Sequence, residues 1–171
     1  YSQLRVEHRV AGVSPFPGAT PFLLAAMAAD VEVMRVLAEA GADPNRTADD
    51  GTTPLMLAAG LGRYMAETLV TEARSLGAAA LAIELGADVD AANETGSTAL
   101  HGAAHIKSDA LVRLLVEHGA SLDPVNARGQ TPLAVAELSR AGSATTATRS
   151  STGDLLRALG ARAATDDPPA R

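Results

Sequence analysis

The sequence predicts an all-α solenoid built from four stacked helix pairs. Three observations support this prediction: a short apolar segment recurs four times, its spacing is partly fixed, and aromatic residues make up only 2% of the chain. The four copies read ATPFLLAA, TTPLMLAA, STALHGAA and QTPLAVAE, and they begin at residues 19, 52, 97 and 130. A chain poor in aromatic residues and dominated by Ala and Leu favours packed helices over a β-sandwich.

One half of the repeated unit has a fixed length and the other half varies. From each closing Gly to the next opening Thr the distance is 12 residues, whereas from Thr to Gly it is 21, 33, 21 and 29 residues. Insertions of 12 and 8 residues therefore fall within the second and fourth units. The opening and closing residues are Thr20, Thr53, Thr98 and Thr131, and Gly41, Gly86, Gly119 and Gly160.

The variable half of each unit is predicted to be a pair of helices. Thr is a favourable N-cap, and Pro at the first helical position loses no hydrogen bond, so each copy starts a first helix. Ala pairs keep this helix thin, and a second helix with apolar residues at helical spacing follows it. Gly in the left-handed conformation ends the second helix. The fixed segment, for example GADVDAANETGS, is predicted to project as a turn.

A helix pair and turn of about 33 residues cannot bury its own apolar faces, so each unit needs a neighbour. With that pattern the chain resembles the ankyrin repeat family, and the likeness covers residues 18 to 161. The residues that carry it are GTTPLMLAA, STALHGAA, VRLLVEHGASLD and VMRVLAEAGADPN, with the turn glycines Gly51, Gly96 and Gly129. The resemblance implies a stack of helix pairs with projecting turns that acts as a non-catalytic protein-protein interaction module.

The predicted repeats span about 18–50, 51–95, 96–128 and 129–162, with a disordered tail at 163–171. In the second unit, apolar residues continue at helical spacing and predict a lengthened second helix after a loop; they are Leu69, Ala73, Leu76, Ala80 and Ile83. In the fourth unit, SRAGSATTATRSS predicts a mobile loop, after which a helix resumes with Ser151 or Thr152 as its cap.

Residues 1–17 are predicted to be a connector from a preceding unit. Terminal units of a solenoid normally have a polar outer face, but the first unit is very apolar, with Phe22, Leu23, Met27, Val33 and Val36. We therefore expect further repeats, or another domain, upstream in a longer protein. The bias toward Ala and Arg indicates a GC-rich bacterial source.

Composition argues against several function classes. The formal net charge is -6, whereas binding to nucleic acid backbone needs clustered cations. Without Cys there are no disulfides, thiolate nucleophiles or Cys-based metal sites, and no apolar run is long enough for membrane insertion. Phosphate-binding Gly motifs and the GxSxG elbow are missing, and the chain has a single Lys, Lys107. The sequence therefore predicts neither an enzyme nor a cofactor.

The histidines and the connector carboxylates are better explained as structural residues. His101, in TALHGAA, is placed where the family commonly has a His that hydrogen-bonds within and between turns. His101 and His105 are spaced as metal ligands on one helix face would be, but no HExxH glutamate or third ligand accompanies them. His118 is expected to bond free carbonyls at a helix end. Five Asp residues are expected to cap turns or face water: Asp43, Asp49, Asp50, Asp88 and Asp123.

The resemblance also implies where a protein partner would bind. In ankyrin-like stacks the first helices and the turn tips line a concave face, which here would combine an apolar floor with acidic tips. Such a face suits a partner that has an apolar segment with flanking positive charge. The predicted contact residues are Leu24, Met27, Asp49, Asp50, Leu57, Leu61, Glu94, His105, Ile106, Arg128, Val135 and Leu138.

Two alternative functions stay open at this point. Apolar ends that stack head to tail would make the chain a subunit of a homo-oligomer or filament. Alternatively, the solenoid would be the targeting domain of a larger enzyme whose catalytic domain is encoded upstream.

Overall fold

The computed structural model describes residues 16–63, 70–138 and 151–162, and these ranges contain eight helices and no strand. The helices form four consecutive pairs, as the sequence predicts. Their bounds are α1 Pro21–Met27, α2 Val31–Glu39, α3 Pro54–Ala58, α4 Glu72–Glu84, α5 Ala99–His105, α6 Asp109–Glu117, α7 Pro132–Leu138 and α8 Ser151–Ala158.

The first helices begin where the opening Thr residues stand. Thr20 Oγ1 accepts from the Leu23 N–H at 3.2 Å, Thr53 Oγ1 accepts from Met56 at 3.2 Å, and Thr131 Oγ1 accepts from Ala134 at 3.3 Å. Pro occupies the first helical position of α1, α3 and α7. The second helices α2, α4 and α6 are capped in the same way by Asp30, Thr71 and Ser108. Local sequence thus fixes both helix starts in a unit.

Each second helix ends in the same way. The closing glycines have positive φ angles: Gly41 +88°, Gly86 +88°, Gly119 +91° and Gly160 +103°. The N–H of the Ala after each Gly returns to a carbonyl in the last turn, for example Ala42 to Leu37 at 2.9 Å and Ala120 to Leu115 at 2.9 Å. This geometry satisfies helix carbonyls that would otherwise lack a donor, and it explains why Gly recurs at this position.

The pairs stack in register, with first helices in one layer and second helices in the other. Helix α1 packs on α3, α3 on α5 and α5 on α7, while α2 packs on α4, α4 on α6 and α6 on α8. Between the layers lies one continuous core of Ala and Leu, with Phe22, Met34 and Met56 as its larger members. Since Ala side chains are small, the first helices approach one another closely.

The turns stack through backbone hydrogen bonds. The Glu94 N–H donates to the Asp50 carbonyl at 2.9 Å, and Ala127 donates to Thr95 at 2.8 Å. At the same position in the first turn, Asp49 donates to the Pro17 carbonyl at 2.9 Å. Gly18 also has a positive φ of +73°, as Gly51 does at +75°. Residues 16–18 therefore take the place that a turn takes in each later unit.

The second-unit insertion lengthens the second helix, as predicted, since α4 has 13 residues whereas α2 and α6 have 9. Of the apolar residues behind that prediction, Leu76 and Ile83 are half-buried and Ala73 and Ala80 are exposed, whereas the buried residues of α4 are Ser75, Ala78, Ala79, Leu81 and Ala82. Leu69 lies outside the described residues. Helix α4 starts at Glu72, so the spacing that included Leu69 does not set its buried face.

In the fourth unit the helix resumes at Ser151, as expected. Neither Ser151 nor Thr152 is its cap, because both lie within α8; the Thr152 side chain is fully buried, and its hydroxyl donates to the Asp109 carboxylate at 2.6 Å. The insertion before Ser151, the tail at 163–171 and residues 1–15 lie outside the described residues.

Candidate partner-binding surface

The turn tips form one edge of the candidate surface, and Asx turns hold them. Asn93 Oδ1 accepts from the Thr95 and Ser97 N–H groups at 3.1 and 3.0 Å, and Asn126 Oδ1 accepts from Arg128 at 2.9 Å. These side-chain bonds add to the backbone turn bonds, in which Gly96 donates to the Asn93 carbonyl at 2.7 Å and Gly129 donates to the Asn126 carbonyl at 2.8 Å. The tip residues are consequently presented to solvent on a fixed backbone.

Three carboxylates lie at the first two tips. Asp49 and Glu94 are exposed, and neither carboxylate has an ion-pair or hydrogen-bond partner within the described residues. Asp50 differs from them, because it is half-buried and its Oδ1 accepts from the Thr52 N–H at 2.9 Å. The third tip carries the exposed cation Arg128. Negative charge is therefore concentrated at one end of the row of tips.

The predicted floor residues divide by exposure. Leu24 is 37% exposed, whereas Met27, Leu61, Ile106 and Val135 are half-buried and pack on the core or on the small cluster around Leu23. They make up an apolar strip along the first helices, since each lies in or shortly after one of α1, α3, α5 and α7. Half-exposed apolar residues of this kind contribute to binding when a partner covers what remains accessible.

The prediction for Leu57 was wrong. Leu57 is fully buried with Leu23 and Ala48, in a cluster onto which Phe16, Ala19 and Met27 pack. Leu23 of α1 and Ala48, next to the first turn tip, cover Leu57, so its side chain is not accessible to a partner. Leu138 is the last residue of α7, and its side chain lies outside what the structure describes.

Among the histidines that the structure describes, His101 has both ring nitrogens in hydrogen bonds. Its Nδ1 lies 3.1 Å from the Thr98 backbone nitrogen and accepts that N–H, while Nε2 donates to the Gln130 carbonyl at 3.0 Å. Burial lowers the pKa of His101 below its ordinary value, although the bond to Gln130 opposes this effect. The predicted role, a link within and between units, is confirmed.

The other two histidines in the described residues also bond to carbonyl groups. His105 Nε2 donates to the Arg63 carbonyl at 3.0 Å, which joins the third unit to the second. His118 Nδ1 donates to the Leu114 carbonyl at 2.8 Å at the end of α6, as expected from its last-turn position. Across the described residues no three His, Asp or Glu side chains are grouped as a metal site. His8 lies outside those residues.

A buried arginine was not predicted from the sequence, but Arg63 is only 8% exposed. Its guanidinium donates to Ser75 Oγ at 2.5 Å and to the Ala58 carbonyl at 3.4 Å, and its Nε has no hydrogen-bond partner. Burial, and then the nearby Arg74, lower the pKa of Arg63. Arg63 lines an open cleft of about 250 Å³ with Glu72, Ser75, Lys107 and Ser108.

Side chains around the lengthened helix α4 also connect neighbouring units. Arg74 donates to the Ala28 and Ala29 carbonyls of the first unit, both at 3.3 Å, and Glu72 accepts from the Ser108 hydroxyl of the third. On the connectors, Asp90 accepts from the Ser121 N–H and hydroxyl, both at 2.7 Å. The connector carboxylates Asp43 and Asp88 accept from nearby backbone N–H groups, as predicted.

Comparison with known proteins supports the fold independently. The family model for ankyrin repeats, described as three copies, matches residues 4–79 and 73–147. No curated protein gives a significant match to this chain. No helix in the described ranges is long and apolar enough to cross a membrane.

Proposed function

Since this chain belongs to the ankyrin repeat family, we propose that it is a non-catalytic module that binds a protein partner through the strip of first helices and the turn tips. The observation that carries the proposal is the pair of exposed carboxylates of Asp49 and Glu94, neither of which has a hydrogen-bond or ion-pair partner within the described residues. Backbone bonds between adjacent tips hold both residues in place, so little ordering entropy opposes binding.

The charges favour a particular kind of partner. A segment with apolar side chains would cover Leu24, Met27 and Ile106, while flanking Lys or Arg residues would face Asp49 and Glu94. Rim charges of this kind mainly raise the association rate and discriminate among partners, and the apolar contacts slow dissociation. Arg128 lies at the other end of the row of tips, so the two ends of the surface carry opposite charges, and this favours one orientation of a bound segment.

The test begins with affinity capture by the chain and identification of the protein that it retains. Binding of that protein is then measured with the double variant Asp49→Lys and Glu94→Lys, and separately with Ile106→Asp. In a further variant Asp50 is changed to Asn, which removes the charge but keeps the side-chain oxygen that accepts from the Thr52 N–H. We expect weaker, less salt-sensitive binding for the charge variant and faster dissociation for Ile106→Asp.

Glu117→Lys is the matched control, since this residue is exposed at the end of α6, in the other helix layer. Equal affinity for all variants and the control would overturn the placement of the contact surface. A partner released by the control variant alone would place binding on the second-helix layer.

A further inference from the structure

The most exposed apolar helix face in the described residues belongs to α2. Val33 is 45% exposed and Val36 is 63% exposed, and Leu24, in the neighbouring helix α1, is 37% exposed. Val125, on a connector, is the one other large apolar residue exposed in these ranges. Three of the four such residues therefore lie in the first unit, although that unit uses the same fold as the other three.

The internal repeat provides a direct comparison for these positions. Val33 and Val36 stand 8 and 5 residues before the closing Gly41. Of the six residues at the same two positions in the later units, five are buried and Leu114 is half-buried. The six residues are Ala78 and Leu81, Leu111 and Leu114, and Thr152 and Leu155. The α2 positions are thus exposed for lack of a neighbour and not because of their place in the helix.

The direction in which these positions face is settled by a contact in the fourth unit. Thr152, which corresponds to Val33, donates its hydroxyl to Asp109 at the start of α6, in the preceding unit. On the other side of α2, Val31 packs within 3.3 Å of the position that a Cβ on Gly77 would take, toward the following unit. Val33 and Val36 therefore face the place of a unit before α1.

The described residues at the opposite end of the stack do not offer a complementary apolar face. Within the described part of the fourth unit, Arg157 forms ion pairs with Glu137 and Asp154, and no large apolar side chain is exposed. A second copy stacked head to tail would press this charged surface onto Val33 and Val36, which would desolvate the ions without new partners. The exposed face with Val33 and Val36 is accordingly a poor site for filament growth.

We infer that the face formed by Leu24, Val33 and Val36 is the docking surface for a further helix pair of the same repeat, which precedes α1 in the polypeptide. The docked pair would continue the α2–α4–α6–α8 stack by one layer. Two other features agree with this register. The Pro17 carbonyl accepts from the Asp49 N–H, as the carbonyl of each turn accepts from the next turn in the later units. The family match begins at residue 4, ahead of α1.

The test compares the 171-residue chain with the full translated product of its gene, each with and without the double change Val33→Asp and Val36→Asp. In the 171-residue chain these side chains are exposed, so we expect an unchanged urea midpoint. In the full product the new carboxylates would be buried without partners, and the folding equilibrium constant should fall by at least about tenfold. Val125→Asp, an exposed apolar residue on a connector, should be neutral in both proteins.

Hydrogen exchange gives a second measurement that does not depend on the variants. The α2 amides should exchange more slowly in the full product than in the 171-residue chain, while the α6 amides change less. Four outcomes would overturn the inference: a gene product with no further helix pair ahead of α1, a neutral double variant in the full product, a double variant that already destabilises the 171-residue chain, or a dimer of that chain that the double variant dissociates.

Discussion

The Nε2 atom of His101 lies 3.0 Å from the carbonyl oxygen of Gln130, so one imidazole joins helix α5 to the turn of the next unit. The same ring accepts the Thr98 N–H at Nδ1, which fixes the neutral tautomer with its proton on Nε2. Protonation of His101 at Nδ1 would place its N–H against the backbone N–H of Thr98. Both the geometry and the burial of the ring oppose the charged form.

The stability of the protein should therefore fall as the solution is acidified. The pKa of His101 is lowered in the folded state from 6.5, so the unfolded chain binds more protons in the interval between the folded pKa and 6.5. The stabilisation is complete above pH 6.5 and is lost as the pH falls through that interval. Urea unfolding at a series of pH values from 7.5 downward measures the slope.

His101→Gln should flatten this slope and also cost about 1–3 kcal/mol at pH 7.5, because the bonds to Thr98 and Gln130 are disturbed. His118→Gln is the control, since His118 is exposed and bonds only within its own helix. An identical slope for the wild type and His101→Gln would show that other groups govern the acid response.

Gly102 permits the close approach of α5 to the second unit, and we expect Gly102→Ala to be destabilising. A Cβ there would lie 2.7 Å from the Leu61 backbone nitrogen and 3.2 Å from the Ala59 carbonyl oxygen. The backbone has to shift, at a cost of about 1–3 kcal/mol despite the better helix propensity of Ala. Thermal and urea unfolding of the variant measure the loss.

Gly77→Ala in helix α4 is the matched control for that substitution. Its Cβ would meet only the Val31 side chain, at 3.3 Å, so the gain in helix propensity should leave stability nearly unchanged or slightly higher. Equal effects of the two changes would mean that the contact at Leu61 does not limit the spacing between units.

Arg63 is predicted to be replaceable by an apolar residue. No carboxylate of the described residues bonds to its buried guanidinium, and Met has a similar length without the cost of a desolvated charge. We expect Arg63→Met to change the unfolding free energy by less than about 1 kcal/mol, or to raise it. Ser75→Ala, which removes an acceptor from the buried guanidinium, should instead cost about 1–3 kcal/mol. A large loss in Arg63→Met alone would contradict this account.

The candidate surface was predicted less completely than the fold. Tip residues such as Asp49 and Glu94 could be placed from the sequence, because turn chemistry brings them to the surface irrespective of their neighbours. Leu24 and Leu57 occupy the same position in their units, yet one is 37% exposed and the other is fully buried. Sequence reasoning treated them alike, since nothing local to either residue reveals whether another unit and its turn cover it.

Residue patterns were enough to predict where most of the helices start and end, the four helix pairs of the described residues and their stacking. These properties depend on capping by Thr, Asp and Ser, on Gly at positive φ, and on apolar helix faces that no single unit can bury alone. The burial of Arg63, the bonds from Ser121 to Asp90 and the exposure of Val33 could be seen in the three-dimensional structure alone. Each of these features depends on contacts with residues distant in the chain. Local sequence patterns do not reveal such contacts, and the insertions change the sequence distance between the residues that form them.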